Sequence, residues 1–145
     1  MSKFTELAKN HYESGLSCSE AVIKAAYDSG IYKTDNIDEV HRIASMFSGG
    51  MSSGCLCGAV AGSQIVLGCI FGRDTSGNSN AHKAIAGEFI QKFKEQRKAT
   101  CCKVLTAPYK NNLSQRRQNC TDIVQESAQI LENIVNKYSK EEVEI

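Results

Sequence analysis

The sequence predicts an all-α fold: one domain over 1–145, a bundle of about five to seven helices around a buried, uncharged central helix. Three observations carry this. Apolar residues recur at helical spacing along most of the chain, with no alternating run and no hairpin turn between two such runs. Glycines and cap residues cut that pattern into segments of ordinary helix length. No charged residue stands between Arg42 and Arg73, and a helix that is apolar on every side belongs in an interior.

The elements follow in order. Phe4, Leu7, Ala8, His11 and Tyr12 stripe a first helix that Gly15 stops. Cys18, Val22, Ala25 and Ala26 stripe a second, closed by Gly30. Its entry, "SCSE", reads as a capping box with Ser17 as the cap and Glu20 reaching back. Ile37, Val40, Ala44 and Phe47 make a third helix, entered through Asp35 or Asn36. "SGGMSSG" is a loop, and the central helix runs from about Cys57 to Phe71. Gly58/Gly62 and Gly68/Gly72 each sit four apart, a spacing that lets another helix approach closely. "GRDTSGNSN" is a loop. His82, Ile85, Ala86, Phe89, Ile90 and Phe93 stripe a fifth helix. A short turn holds "CCKVLTA" and ends at Pro108, the only proline. Ile123, Val124, Leu131, Ile134 and Val135 stripe a long last helix, and "SKEEVEI" reads as a solvated tail.

Composition narrows the function classes. Net charge is +1 and the basic residues are scattered, which points away from nucleic acid as a partner. Lys110, Arg116, Arg117 and the lysines near Lys98 read as a solvated face. The uncharged segment approaches the length of a membrane span, but Gln64 and frequent glycines favour a buried helix. The start lacks the apolar core of a secretory signal, so a cytoplasmic location is expected. His11, His41 and His82 lie on or beside apolar stripes with no second ligand at metal spacing. There is no C-x-x-C-H, so no c-type haem is expected.

The cysteines stand out, seven in 145 residues. In a reducing compartment that number suggests metal or redox chemistry before a disulfide framework. Cys18 opens the second helix. Cys55 and Cys57 follow Ser53 and Gly54 at the start of the central one. Cys101 and Cys102 follow Thr100, and Cys120 follows Asn119, both plausible caps. Thiols thus gather at four helix starts, where the partial positive charge favours thiolate. Cys69, mid-helix among apolar neighbours, reads as core.

These residues carry a resemblance. "GLSCSEAV", "FSGGMSSGCLCGAVAG", "CKVL" and "CTDIV" together resemble the redox-active family named C_GCAxxG_C_C, from Gly15 to Val124. The resemblance implies a small helical domain with four defining cysteines, which fall here on Cys18, Cys57, Cys102 and Cys120. It leaves Cys55, Cys69 and Cys101 as extras, with Cys55 and Cys101 near enough to compete as ligands or resolving thiols. Members of that family tend to be encoded near transporter genes, which implies a membrane transport system as a partner. The domain is also similar to part of the split-Soret cytochromes, which implies a homodimer and a cysteine-lined pocket for an iron–sulfur cluster; the haem-bearing piece of those proteins is missing here.

Three functional readings follow. In the first, Cys18, Cys57, Cys102 and Cys120 ligate an iron–sulfur cluster for electron transfer to a redox partner. In the second, the same cysteines work without metal, with Cys57 as attacking thiolate and a neighbour as resolving thiol. In the third, they hold a soft metal such as Cu(I) or zinc in service of transport. Packing alone is the bland alternative.

Overall fold

The computed structural model describes residues 2–142, with side chains through residue 139. Seven α-helices follow one another: α1 Lys3–Glu13, α2 Cys18–Ser29, α3 Ile37–Ser45, α4 Gly58–Phe71, α5 Ala81–Arg97, α6 Cys102–Thr106 and α7 Leu113–Glu142. A turn of π type at Gly50–Gly54 and a 3-10 turn at Ala107–Tyr109 complete the order. No strand occurs among the described residues, and the all-α expectation holds.

α4 occupies the middle, packed on α2, α5 and α7. Val60 and Val66 of α4 meet a continuous core that includes Val22 and Ile23 of α2, Phe89 and Phe93 of α5, and Val124 and Leu131 of α7. Burying each such side chain is worth about 1.5–3 kcal/mol. The two polar side chains inside α4 are both satisfied: Ser63 donates to the Ala59 carbonyl at 2.8 Å and Gln64 to the Ala86 carbonyl of α5 at 3.0 Å. Burial is not uniform, however. It holds from Gly58 to Leu67, apart from the half-buried Gln64 and Ile65, and then fades. Cys69 is exposed, not core as its apolar neighbours suggest. No helix among the described residues is long and apolar enough to cross a membrane.

The glycine spacing has two different meanings. A Cβ on Gly62 would lie 2.8 Å from the Ser19 carbonyl oxygen, and one on Gly58 would lie 3.2 Å from the Cys18 Cβ. This pair lets the start of α2 touch the α4 backbone. Gly68 has nothing within 4 Å, and a Cβ on Gly72 would meet only its own helix at the Gly68 carbonyl. That second pair admits no neighbour.

Caps set both limits of α2. The capping box at Ser17 and Glu20 is present, and Gly30 closes α2 in the left-handed region at φ 83°. His41 of α3 bonds Glu20 at 3.0 Å, and Ser19 donates to the Ala44 carbonyl at 2.7 Å, so α3 is fastened to α2. His11 bonds Asp28 at 2.9 Å and fastens α1 in the same way. α3 is entered through Asn36 and stops at Ser45, leaving Phe47 beyond it.

The largest departure is α7, which starts at Leu113. The Asn112 side chain accepts the Gln115 N–H at 3.0 Å and caps it. Residues 139–142 of the expected tail continue this helix, and the last three lie outside the described residues.

α5 and α7 are tied by Glu88, which accepts the Tyr138 hydroxyl at 2.7 Å and Lys137 Nζ at 3.0 Å. The Tyr138 hydrogen bond, then Lys137, holds the Glu88 carboxyl below its usual 4.5. A depressed acid contributes stability above its unfolded pKa and loses it as pH falls through the folded one. Glu88→Gln is therefore expected to cost about 1 kcal/mol at pH 7. Urea denaturation should show the gap to wild type closing below the usual carboxyl range; an equal gap at pH 7 and pH 3 would contradict this.

Candidate functional site

Four of the cysteines meet. Cys18 is the first residue of α2, Cys57 caps α4, Cys102 is the first residue of α6, and Cys120 lies in the third turn of α7. All four line one small, partly open cavity of about 30 Å³, walled otherwise by Leu105, Ile123, Thr106 and the glycines 49, 50 and 58. The glycines make the convergence possible. Gly50 has a left-handed φ of 63°, and a Cβ there would lie 2.6 Å from the Cys55 nitrogen and 3.1 Å from the Cys102 Cβ. The Cys57 N–H donates to the Thr100 carbonyl at 2.7 Å, which draws the mouth of α4 onto the segment leading into α6.

The expectation of four helix starts is corrected at two points. Cys101, not Thr100, occupies the cap position of α6. Asn119 is no cap, because α7 has already run two turns when it reaches Cys120. The Asn119 side chain is buried instead, accepting Arg97 NH1 at 3.1 Å and donating to the Leu105 carbonyl at 3.0 Å. It joins α5, α6 and α7 directly behind the cysteines.

The electrostatics follow neighbours more than helix starts. The Val60 and Ala59 N–H groups of the first turn of α4 favour the Cys57 thiolate, as a helix start does, but burial outweighs them and pushes its thiol up. Cys18 is raised by the hydrogen bond it gives Cys120, then by burial and the nearby sulfurs. Cys102 is raised by burial and by Cys120, with Arg116 opposing. Only Cys120 is lowered, to about 6, because Cys18 and the Tyr12 hydroxyl both donate to it, with Arg116 and Arg97 adding positive charge. Tyr12 in turn is raised, first by burial and then by the charges of Cys18 and Cys120. One negative charge is held comfortably at this site; four sulfur charges need a cation among them.

Tyr12, Arg97 and Arg116 are therefore part of the site, although the sequence suggests core for the first and a solvated face for the last. Arg116 had a readable signal, since it stands four residues before Cys120 on one face of α7. Tyr12 had none; only the packing of α1 on α7 brings it there.

Cys55 and Cys101 are neither free ligands nor free resolving thiols. They are bonded to each other as a disulfide, and Cys69 lies away from the cavity as a free, exposed thiol. Among the described residues no three His, Cys, Asp or Glu side chains stand ready around a common point as a finished metal site would.

A family model described as "Putative redox-active protein (C_GCAxxG_C_C)" matches residues 16–134. The chain belongs to the C_GCAxxG_C_C family. No curated protein and no solved structure matches it. The C_GCAxxG_C_C motif itself, Cys57-Gly58-Ala59-Val60-Ala61-Gly62, now has a local explanation. Its cysteine caps the central helix, its glycines admit the start of α2, and its small apolar residues are buried against the core.

Proposed function

We propose that this C_GCAxxG_C_C protein is an electron-transfer protein whose Cys18, Cys57, Cys102 and Cys120 hold an iron–sulfur cluster. The observation that supports the reading most is the convergence of exactly these four thiols, from four separate helices, on one small cavity with apolar walls. The donor set fits the group, since four sulfurs suit a two-iron or a four-iron cluster, and glycine at positions 50 and 58 lets the segments carrying Cys102 and Cys18 close in where a Cβ would intrude; the cavity of about 30 Å³ has to widen to take either cluster. When bound, such a cluster supplies one-electron transfer.

The chain's own residues bind, shield and balance. The sulfurs are the ligands, and taking a metal requires Cys18 to give up its hydrogen bond to Cys120. Leu105 and Ile123 keep water away. Arg116, hydrogen-bonded to Cys102, and Arg97 offset the negative charge that the sulfurs bring. Service to a transport system, as the resemblance implies, belongs to the same proposal.

Protein purified without oxygen, or reconstituted with iron and sulfide, is expected to be brown and to carry both elements in near-stoichiometric amounts. Colourless protein without iron after reconstitution would sink the proposal. Tight zinc or Cu(I) binding without sulfide would replace it by the soft-metal reading. A second reading, thiol–disulfide chemistry without metal, is favoured by one specific observation: the chain already carries a disulfide beside the cavity. It predicts a two-electron couple at Cys57 with no metal bound.

A further inference from the structure

The Cys55–Cys101 disulfide has no place in the four-cysteine set, yet it lies beside that set's cavity, with the Cys55 nitrogen against Gly50. Cys55 is two residues before Cys57, and Cys101 directly precedes Cys102. Each half of the bond thus anchors a segment that carries one of the cavity sulfurs. On one side is the turn Gly50–Gly54, whose Gly50 lines the cavity; on the other is the start of α6, which lines it with Cys102 and Leu105. The bond joins the two sides.

Besides the disulfide, the turn meets α6 by packing, Gly50 against Cys102 and Gly54 against the Lys103 side chain, while the Cys57 N–H just beyond it donates to the Thr100 carbonyl. Within the turn, the Cys55 N–H and the Ser53 hydroxyl both donate to the Gly50 carbonyl. Met51 and Ser52 sit in it at φ 58° and 54°, a left-handed conformation that costs non-glycine residues free energy and is kept where the surroundings hold it. The turn is also exposed at Met51, Ser52, Ser53 and Cys55, whereas Cys57 beneath it is only 5% exposed. A solvent-borne thiol therefore meets Cys55 before it meets Cys57.

We propose that Cys55–Cys101 is a second, reversible redox site, reduced by dithiols, that acts as a latch on the four-cysteine cavity. A dithiol's thiolate attacks the exposed Cys55 sulfur, forming a mixed disulfide and expelling Cys101 as a thiolate that takes up a proton. The dithiol's second sulfur, giving up its proton, then closes on its own mixed disulfide and releases the Cys55 sulfur, which is protonated. Two electrons and two protons pass to the protein, and the dithiol leaves as a disulfide. With the bond gone, the turn separates from α6 and the cavity opens for loading; reoxidation closes it. The proposal rests on the cavity being the working site, and not on which group fills it.

The test needs no metal. Metal-free protein is alkylated with the disulfide intact, after anaerobic dithiol reduction and desalting, and as the Cys55→Ser/Cys101→Ser variant. Labelling of the buried Cys57 is followed by fragment-ion mass, which separates it from Cys55 and Cys69. Both opened forms are expected to label at least about tenfold faster than the closed one, as release of a locally ordered segment predicts. Reduced wild type serves as the check if the double variant folds poorly. Equal labelling rates with and without the bond would overturn the latch, as would a bond that dithiols reduce only after denaturation. Fast labelling of opened protein that then takes up neither iron nor sulfide would uphold the latch and defeat the cluster reading.

Discussion

Alanine at Gly62 is expected to destabilise the fold by about 1–3 kcal/mol, whereas alanine at Gly68 is expected to stabilise it by about 0.5–1 kcal/mol. Both glycines lie inside α4, and on helix propensity alone both changes should help, by up to about 1 kcal/mol. What separates them is space. The new methyl at Gly62 would sit 2.8 Å from the Ser19 carbonyl oxygen and 3.0 Å from the Ser19 Cα. These are backbone atoms at the start of a capped helix, so relief requires α2 to move, and Cys18 moves with it. Overpacking then outweighs propensity. Gly68 is exposed and has nothing within 4 Å, so propensity acts unopposed. Urea denaturation of the two variants checks the pair. Equal shifts of one sign would show that α2 does not rest on the α4 backbone.

Serine at Cys57 is expected to remove the proposed centre while leaving the fold in place. The hydroxyl is nearly the size of the thiol, and burying it costs about 1–3 kcal/mol, less than a stable domain needs to unfold. As a ligand for iron it is far poorer than thiolate. Bound iron and sulfide should fall to about a tenth of wild type or less, judging by the 10- to 100-fold losses that even outer-sphere changes bring. The helical circular dichroism should persist. Cys69→Ser, altering the exposed thiol at the far end of the same helix, should load like wild type. Full loading of the Cys57→Ser protein would remove Cys57 from the site.

Much of the fold was legible because local signals were strong. The capping box at Ser17, the Gly30 stop and the apolar stripe of Phe89 and Phe93 each act within one or two turns, and each reappears in the structure. The errors arose where two local signals competed. Asn112 and Asn119 are both good caps. The first won because Leu113 and its successors continue the helix without a break, and the second was drawn into bonds with Arg97 and Leu105. Cys69 misled for a related reason: apolar neighbours describe a helix, not the point at which it emerges from the core. The four cysteines that line the cavity are those of the family pattern, but the field of a helix start does not by itself account for their electrostatics. At Cys57 the helix-start N–H groups favour thiolate and burial overrides them, while Cys120 is lowered by Cys18, Tyr12 and two arginines.

By itself, the sequence determined the helical class, the uncharged central helix and the family, and it singled out the four cysteines that the fold brings to one cavity. Those properties depend on spacing along the chain, and spacing is what a sequence records. Only the tertiary structure decided that Cys55 and Cys101 are joined to each other. It also brought Tyr12 and Arg116 to the sulfurs, and it separated two glycine pairs of identical spacing into one contact and one open surface. Those outcomes depend on which atoms from distant segments share the same few ångströms, and that is settled by packing all the helices at once.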